Sequence, residues 1–95
     1  MKTMYVYIMT NRNNTTLYIG VTNNLVRRIA EHKNHTFNSF SKEYNLNKLV
    51  YYTMFEDELS AIACEKYLKK CYRKTKEKLI SQMNPQWNDL YETLI

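Results

Sequence analysis

Five side chains in this sequence could together do chemistry: Tyr7, Tyr18, Arg28, His32 and Glu65. Tyr18 follows Tyr7 by eleven residues and opens Tyr18-Ile19-Gly20, which holds the 1 glycine of the chain, and His32 follows Arg28 by four. Phenols and an imidazole move protons, a guanidinium is a permanent fork for phosphate oxygens, and a carboxylate is a hard ligand for a divalent cation. Each residue alone has a structural explanation. Strand tyrosines pack, an arginine lies along a surface by its methylenes, a histidine near a helix C-terminus complements the dipole, and a glutamate answers a basic neighbour. Converging on one face, they supply a base, phosphate clamps and a metal ligand. Gly20 adds a backbone constraint, because a glycine-poor chain keeps glycine where a side chain would clash or where φ must be positive.

The elements that must position this set are readable from pattern. Residues 4–9 and 16–21 are aromatic and β-branched, separated by the turn signal Asn11-Arg12-Asn13-Asn14, so they predict a hairpin. A turn centred between Arg12 and Asn13 pairs Tyr7 with Tyr18. Thr22-Asn23-Asn24 caps a predicted helix over 25–33, with Leu25, Ile29 and His32 on one stripe, Arg28 beside them, and Arg27 and Glu31 as an exposed pair. The polar stretch 35–44 reads as a loop, and 49–55 as a third strand. Asp57 caps the next helix, whose predicted buried stripe is Ala61, Cys64, Leu68, Cys71 and Tyr72. Glu65 interrupts that stripe, and an inward carboxylate needs a partner or a metal. A further helical segment over 76–81 stops at Asn84-Pro85.

Size and charge narrow the options. The 95 residues suit a single domain, 1–95, with one modest core. An apolar fraction of 44% argues against disorder. With no long apolar run and no signal-peptide start, the reading is a cytoplasmic protein without a membrane partner. Cys64 and Cys71 sit two turns apart in one helical pattern, which fits a reduced pair and not zinc spacing with His32 and His35. The net charge of +5 permits a polyanion partner. Between Glu65 and Lys78 the cations Lys66, Lys69, Lys70, Arg73, Lys74, Lys76 and Lys78 outnumber two glutamates. That run is either a solvated helix face or a footprint for phosphates.

The ordered set Tyr5-Val6-Tyr7, Tyr18-Ile19-Gly20, Arg28 with His32, and Glu65 on a later helix resembles the GIY-YIG endonuclease superfamily. The ending Asn84-Pro85-Gln86-Trp87-Asn88-Asp89-Leu90 is similar to that of its small stand-alone bacterial members, so the resemblance spans residues 4–90. It implies an α+β (α/β) domain with a three-stranded antiparallel sheet flanked by helices, and metal-dependent hydrolysis of phosphodiesters, most naturally in DNA repair or recombination. By the matched positions Glu65 would hold one Mg²⁺ or Mn²⁺, with no small-molecule cofactor. Tyr7 or Tyr18 would activate water, Arg28 and His32 would contact the scissile phosphate, and Asn84, or less directly Asn88, would join the site. Lys66, Lys69, Lys70, Arg73 and Lys74 are the candidate nucleic-acid contacts. The first motif lacks the family's initial glycine, a residue that carries no catalytic group.

Two other readings share the same residues. The fold could be a nucleic-acid-binding module that grips phosphates without hydrolysis. Alternatively, Trp87, Leu90, Tyr91 and Leu94 could dock onto a partner or a second copy, although packing back on the chain's own core is the simpler use, and the expected state is a monomer.

Overall fold

The computed structural model describes residues 3–36 and 39–95; positions 1, 2, 37 and 38 lie outside the described residues. Three strands, β1 (Met4–Thr10), β2 (Leu17–Thr22) and β3 (Lys48–Phe55), form an antiparallel sheet in the order β2-β1-β3. β1 is central, and its last five residues are buried. Both sheet faces are covered, which is why β1 reads as a continuous apolar and aromatic run and not as an alternation.

Alternation survives as a division of the core. Val6 and Ile8 point to one face, with Met4, Ile19 and Val50, where they pack against Ala61 and Leu68 of α3 (Glu58–Lys70) and Ile80 of α4 (Arg73–Met83). Tyr7 and Met9 point to the other, with Leu46, Leu49 and the Leu25 and Ile29 of α1 (Leu25–Lys33). The helices start where side-chain caps permit. Asn24 accepts from the Arg27 amide at 3.1 Å and Asp57 from the Ser60 amide at 2.7 Å, satisfying amides that the first turns leave open.

Four expectations need correction. The hairpin register is shifted by two: Tyr7 pairs with Gly20, and Tyr18 pairs with Met9. The connection runs from Asn11 to Thr16 and bends further along than the asparagine run suggests, because Asn14 takes the left-handed conformation (φ 58°) and the Asn11 carboxamide accepts from the amides of Thr15 and Thr16. Second, the predicted loop contains a short helix, α2 (Ser39–Glu43), anchored by the amide of buried Leu46, which donates to the Ser41 carbonyl at 3.0 Å.

Third, the buried stripe of α3 does not continue through Cys71 and Tyr72. The helix ends at Lys70, both following residues are extended (ψ 149° and 153°), and Tyr72 is 86% exposed. Cys64 and Cys71 are free thiols, each half-buried. Fourth, the last α-helix begins at Arg73, three residues before the predicted start. At the C-terminus, Leu90, Tyr91 and Leu94 pack on the Tyr7 side of the sheet and Trp87 on the other, so the tail serves the chain's own core.

Candidate active site

Tyr7 is the centre of the arrangement. It sits mid-strand in β1 with no solvent exposure, and its ring crosses the neighbouring strand over Gly20. A Cβ at Gly20 would stand 2.3 Å from the Tyr7 hydroxyl oxygen and 2.4 Å from Cζ. The backbone of Gly20 is not in the left-handed region, so this glycine is required by the ring above it and not by a turn.

The Tyr7 hydroxyl ends 3.0 Å from Nε2 of His32, which α1 brings in on its buried stripe. The other ring nitrogen, Nδ1, lies 3.0 Å from Oγ of Ser41. Ser41 Oγ also lies 3.3 Å from the His32 carbonyl oxygen. With the hydroxyl proton directed there, Oγ accepts from Nδ1–H, and that tautomer lets Nε2 accept from the Tyr7 hydroxyl. Burial first, and then the nearby Arg28 charge, push the imidazole down to about 4, while Glu31 opposes them. His32 is thus neutral at pH 7 and able to take a proton.

The Tyr7 phenol is shifted the other way. Burial raises it most and the charge of ionised Tyr18 adds, whereas the Arg28 guanidinium, which also hydrogen-bonds to it, pulls it down; the Glu65 carboxylate raises it further. Arg28 is steered to this position by Glu31, which accepts from its Nε at 3.1 Å and also pairs with Arg27 at 3.4 Å. Tyr18 closes the group as a packing ring, with its centroid 5.2 Å from His32 and 6.4 Å from Tyr7.

Glu65 comes from α3, on the opposite sheet face from α1, yet its charge is felt at Tyr7. Its side chain is 16% exposed and has Lys69 Nζ at 3.5 Å, one turn further along the same helix. Among the described residues no cluster of three or more His, Cys, Asp or Glu side chains could cage a metal. A divalent ion at Glu65 would take the rest of its shell from water and phosphate oxygens, which suits the hard, hydrated Mg²⁺ better than a softer ion.

Of the remaining predicted residues, Lys69 pairs with Glu65, and Asn84 and Arg73 have contacts of their own. Asn84 is buried and turned inward: Nδ2 donates to the carbonyls of Val50 (3.2 Å) and Asn88 (2.7 Å), and Oδ1 accepts from the Asn88 amide at 3.0 Å. Those bonds shape the turn before the C-terminal segment. Asn88 itself contributes main-chain atoms to them. Lys66, Lys69, Lys70 and Lys74 are exposed on α3 and α4. Arg73 is committed elsewhere, donating to the carbonyls of Asn14 and Thr15 at the hairpin tip and to Glu77 at 2.8 Å.

Sequence reasoning missed Ser41. It lies in the polar stretch read as a loop, and only the folded chain shows that this hydroxyl meets the ring of a histidine nine residues earlier.

Comparison with known proteins gives the family and the fold. The family model described as the GIY-YIG catalytic domain matches residues 3–79. The chain is 40% identical over 77 residues to the UPF0213 protein CPE1444 of Clostridium perfringens, covering 81% of this chain and 82% of that one. It is 32% identical over 78 residues to a UPF0213 protein of Bacillus licheniformis, covering 82% and 79%. The solution structure of the UPF0213 protein BH0048 from Bacillus halodurans superposes with a TM-score of 0.58 at 25% identity over 92% of each chain. A buried tyrosine over the glycine of Tyr18-Ile19-Gly20, met by an arginine and a histidine from the next helix, is what that family model spans, and the chain belongs to the GIY-YIG catalytic domain family, a family of nucleases that act on nucleic acid.

Proposed function

We propose that this chain is a divalent-metal-dependent endonuclease that hydrolyses phosphodiester bonds of DNA. The observation that carries the reading is the hydrogen bond from the Tyr7 hydroxyl to the neutral, buried His32, with the Arg28 guanidinium on the same phenol. As the Tyr7 oxygen takes a proton from the attacking water, its own proton moves to Nε2 of His32, so the phenol stays neutral and the imidazole becomes charged. That relay avoids a free phenolate, which burial disfavours here. Ser41 keeps the imidazole in the tautomer that can receive the proton.

Arg28 also serves the substrate. Its fork-shaped donors suit phosphoryl oxygens, whose charge grows as the reaction proceeds. Glu65 would hold Mg²⁺ or Mn²⁺; such an ion, when bound, neutralises phosphate oxygens and lowers the pKa of a coordinated water. Exposed lysines on α3 and α4 would contact the phosphate backbone, which positions a duplex without reading its bases. Target choice by strand shape, as in branched repair or recombination intermediates, follows from such contacts.

The test uses labelled linear and branched DNA with Mg²⁺ or Mn²⁺. Cleavage by the unmodified chain, reduced on the order of a hundredfold or more in Arg28→Ala and Glu65→Ala, is the expected result. If the chain binds DNA and neither ion supports cleavage, the domain is a binding module and the nuclease reading is wrong.

A further inference from the structure

The catalytic aromatic cluster does not stop at Tyr18. The Phe40 ring stands 5.7 Å from it and the Tyr44 ring 4.6 Å from Phe40, both tilted by about 40° (39° and 41°). Exposure rises along this row: Tyr7 and His32 have none, Phe40 is 40% exposed and Tyr44 42%. The row therefore leads from the buried proton-transfer pair to the protein surface.

α2 makes the row possible. Its inner side is tied down by Ser41, which is bound to His32, and by Leu46, which is fully buried. Phe40 and Tyr44 are four residues apart, and the Tyr44 amide donates to the Phe40 carbonyl at 3.1 Å, so one turn presents both rings together. Two flat rings at the surface are otherwise a poor use of apolar area. Phe40 in particular has no polar group to hydrate.

We propose that Phe40 and Tyr44 form a stacking platform for an unpaired base next to the phosphate held by Arg28, so that the preferred substrate carries a single-stranded segment at the cleavage site. This inference rests on the nuclease reading above, because it takes Arg28 as the phosphate contact. Every base has a π-face, so stacking needs no sequence, but it does need a base free to leave its neighbours. A flap, overhang or branch offers one, whereas a continuous duplex must first be unstacked. The rings begin at Tyr18, which touches His32, so a base on them is the neighbour of the reacting phosphate and not part of a remote site.

The test is binding without divalent ions, where cleavage plays no part. A single-stranded oligonucleotide and its duplex, each with 2-aminopurine at one position, are titrated with the unmodified chain, Phe40→Leu, Phe40→Trp and Tyr44→Leu. Leucine keeps the apolar cover over Tyr18 and removes the flat face. Phe40→Leu and Tyr44→Leu are expected to weaken single-strand binding at least about 5-fold and to abolish the 2-aminopurine quenching, while Phe40→Trp keeps both. Duplex affinity and the salt slope stay as they were, because no charge is removed.

Equal losses on single strand and duplex, or quenching that survives in both leucine variants, would overturn the proposal and leave the rings as a cover. A shift in sedimentation showing that the leucine variants dissolve a dimer would assign the surface to a second copy instead. If Phe40→Leu melts early, Tyr44→Leu, outside α2, carries the comparison. The two readings fail separately: quenching without metal-dependent cleavage removes the nuclease, and cleavage without strand preference or quenching removes the platform.

Discussion

The ring of Tyr7 occupies the space in which a side chain at Gly20 would begin, with the hydroxyl oxygen 2.3 Å from the position of a Cβ. The two residues are register partners on adjacent strands, and Tyr7 cannot swing aside without breaking its bond to His32. The glycine of the second motif therefore exists for the tyrosine of the first.

Gly20→Ala should destabilise the fold by about 1–3 kcal/mol, the usual cost of forcing an extra group into a packed interior. In a Tyr7→Ala background, the same substitution should cost at least about 1 kcal/mol less, since contacting residues are not additive. Urea unfolding of the four proteins in this cycle reports the coupling. An unchanged cost in both backgrounds would mean that the ring is not what demands glycine.

His32 makes stability depend on acid. The folded imidazole titrates at about 4 against 6.5 for an ordinary histidine, so the unfolded chain binds the proton first as pH falls. Stability from this residue is complete above pH 6.5, declines between 6.5 and about 4, and is then lost, by about 3 kcal/mol at 1.36 kcal/mol per pKa unit. His32→Gln should flatten that part of the curve. Urea midpoints at pH 7.5 and 4.5 for both proteins decide it, with equal acid losses counting against a buried neutral imidazole.

What could be read from sequence followed local chemistry. The aromatic and β-branched runs became β1, β2 and β3, and the cap residues Asn24 and Asp57 began α1 and α3. Tyr7, Arg28 and His32 were legible as a group because strand and helix periods place them on one side. The register was not, since it depends on Asn14 adopting positive φ and on Arg73, 58 residues beyond Thr15, holding the hairpin tip. Ser41, Phe40 and Tyr44 lay in a stretch without periodicity, where only α2 packing against His32 and Tyr18 gives them meaning. Tyr72 fitted a helical stripe that the extended backbone at Cys71 cuts off.

Asp89, which the sequence shows only as part of the closing motif, joins three segments. Oδ1 accepts from the amides of Leu49 and Tyr91, each at 3.1 Å, and Oδ2 pairs with Lys33, which itself donates to the Asn47 carbonyl at 2.8 Å. Asp89→Ala should cost about 2 kcal/mol, because two amides lose their acceptor. Asp89→Asn keeps an oxygen and should lose under about 1 kcal/mol, since both charged side chains are 27% exposed and the ion pair is screened. Thermal melts of the two variants separate the amides from the charge, and equal losses would assign the effect to the ion pair.

Arg73 and Lys70 both belong to the basic run, but their side chains are used differently. Lys70 is exposed and takes part in none of the ion pairs among the described residues, whereas the Arg73 guanidinium is spent on Asn14, Thr15 and Glu77. A cation that contacts phosphate contributes about 0.9 to the slope of log affinity against log salt on duplex DNA. Lys70→Ala should lower the slope by about that amount with stability unchanged within about 0.5 kcal/mol. Arg73→Ala should do the reverse, leaving the slope and lowering stability by about 1–2 kcal/mol through the hairpin carbonyls it releases. Salt titrations of binding, beside urea unfolding, measure both quantities on each variant. A slope reduced equally by the two changes would show that the arginine leaves the hairpin for phosphate when DNA is bound.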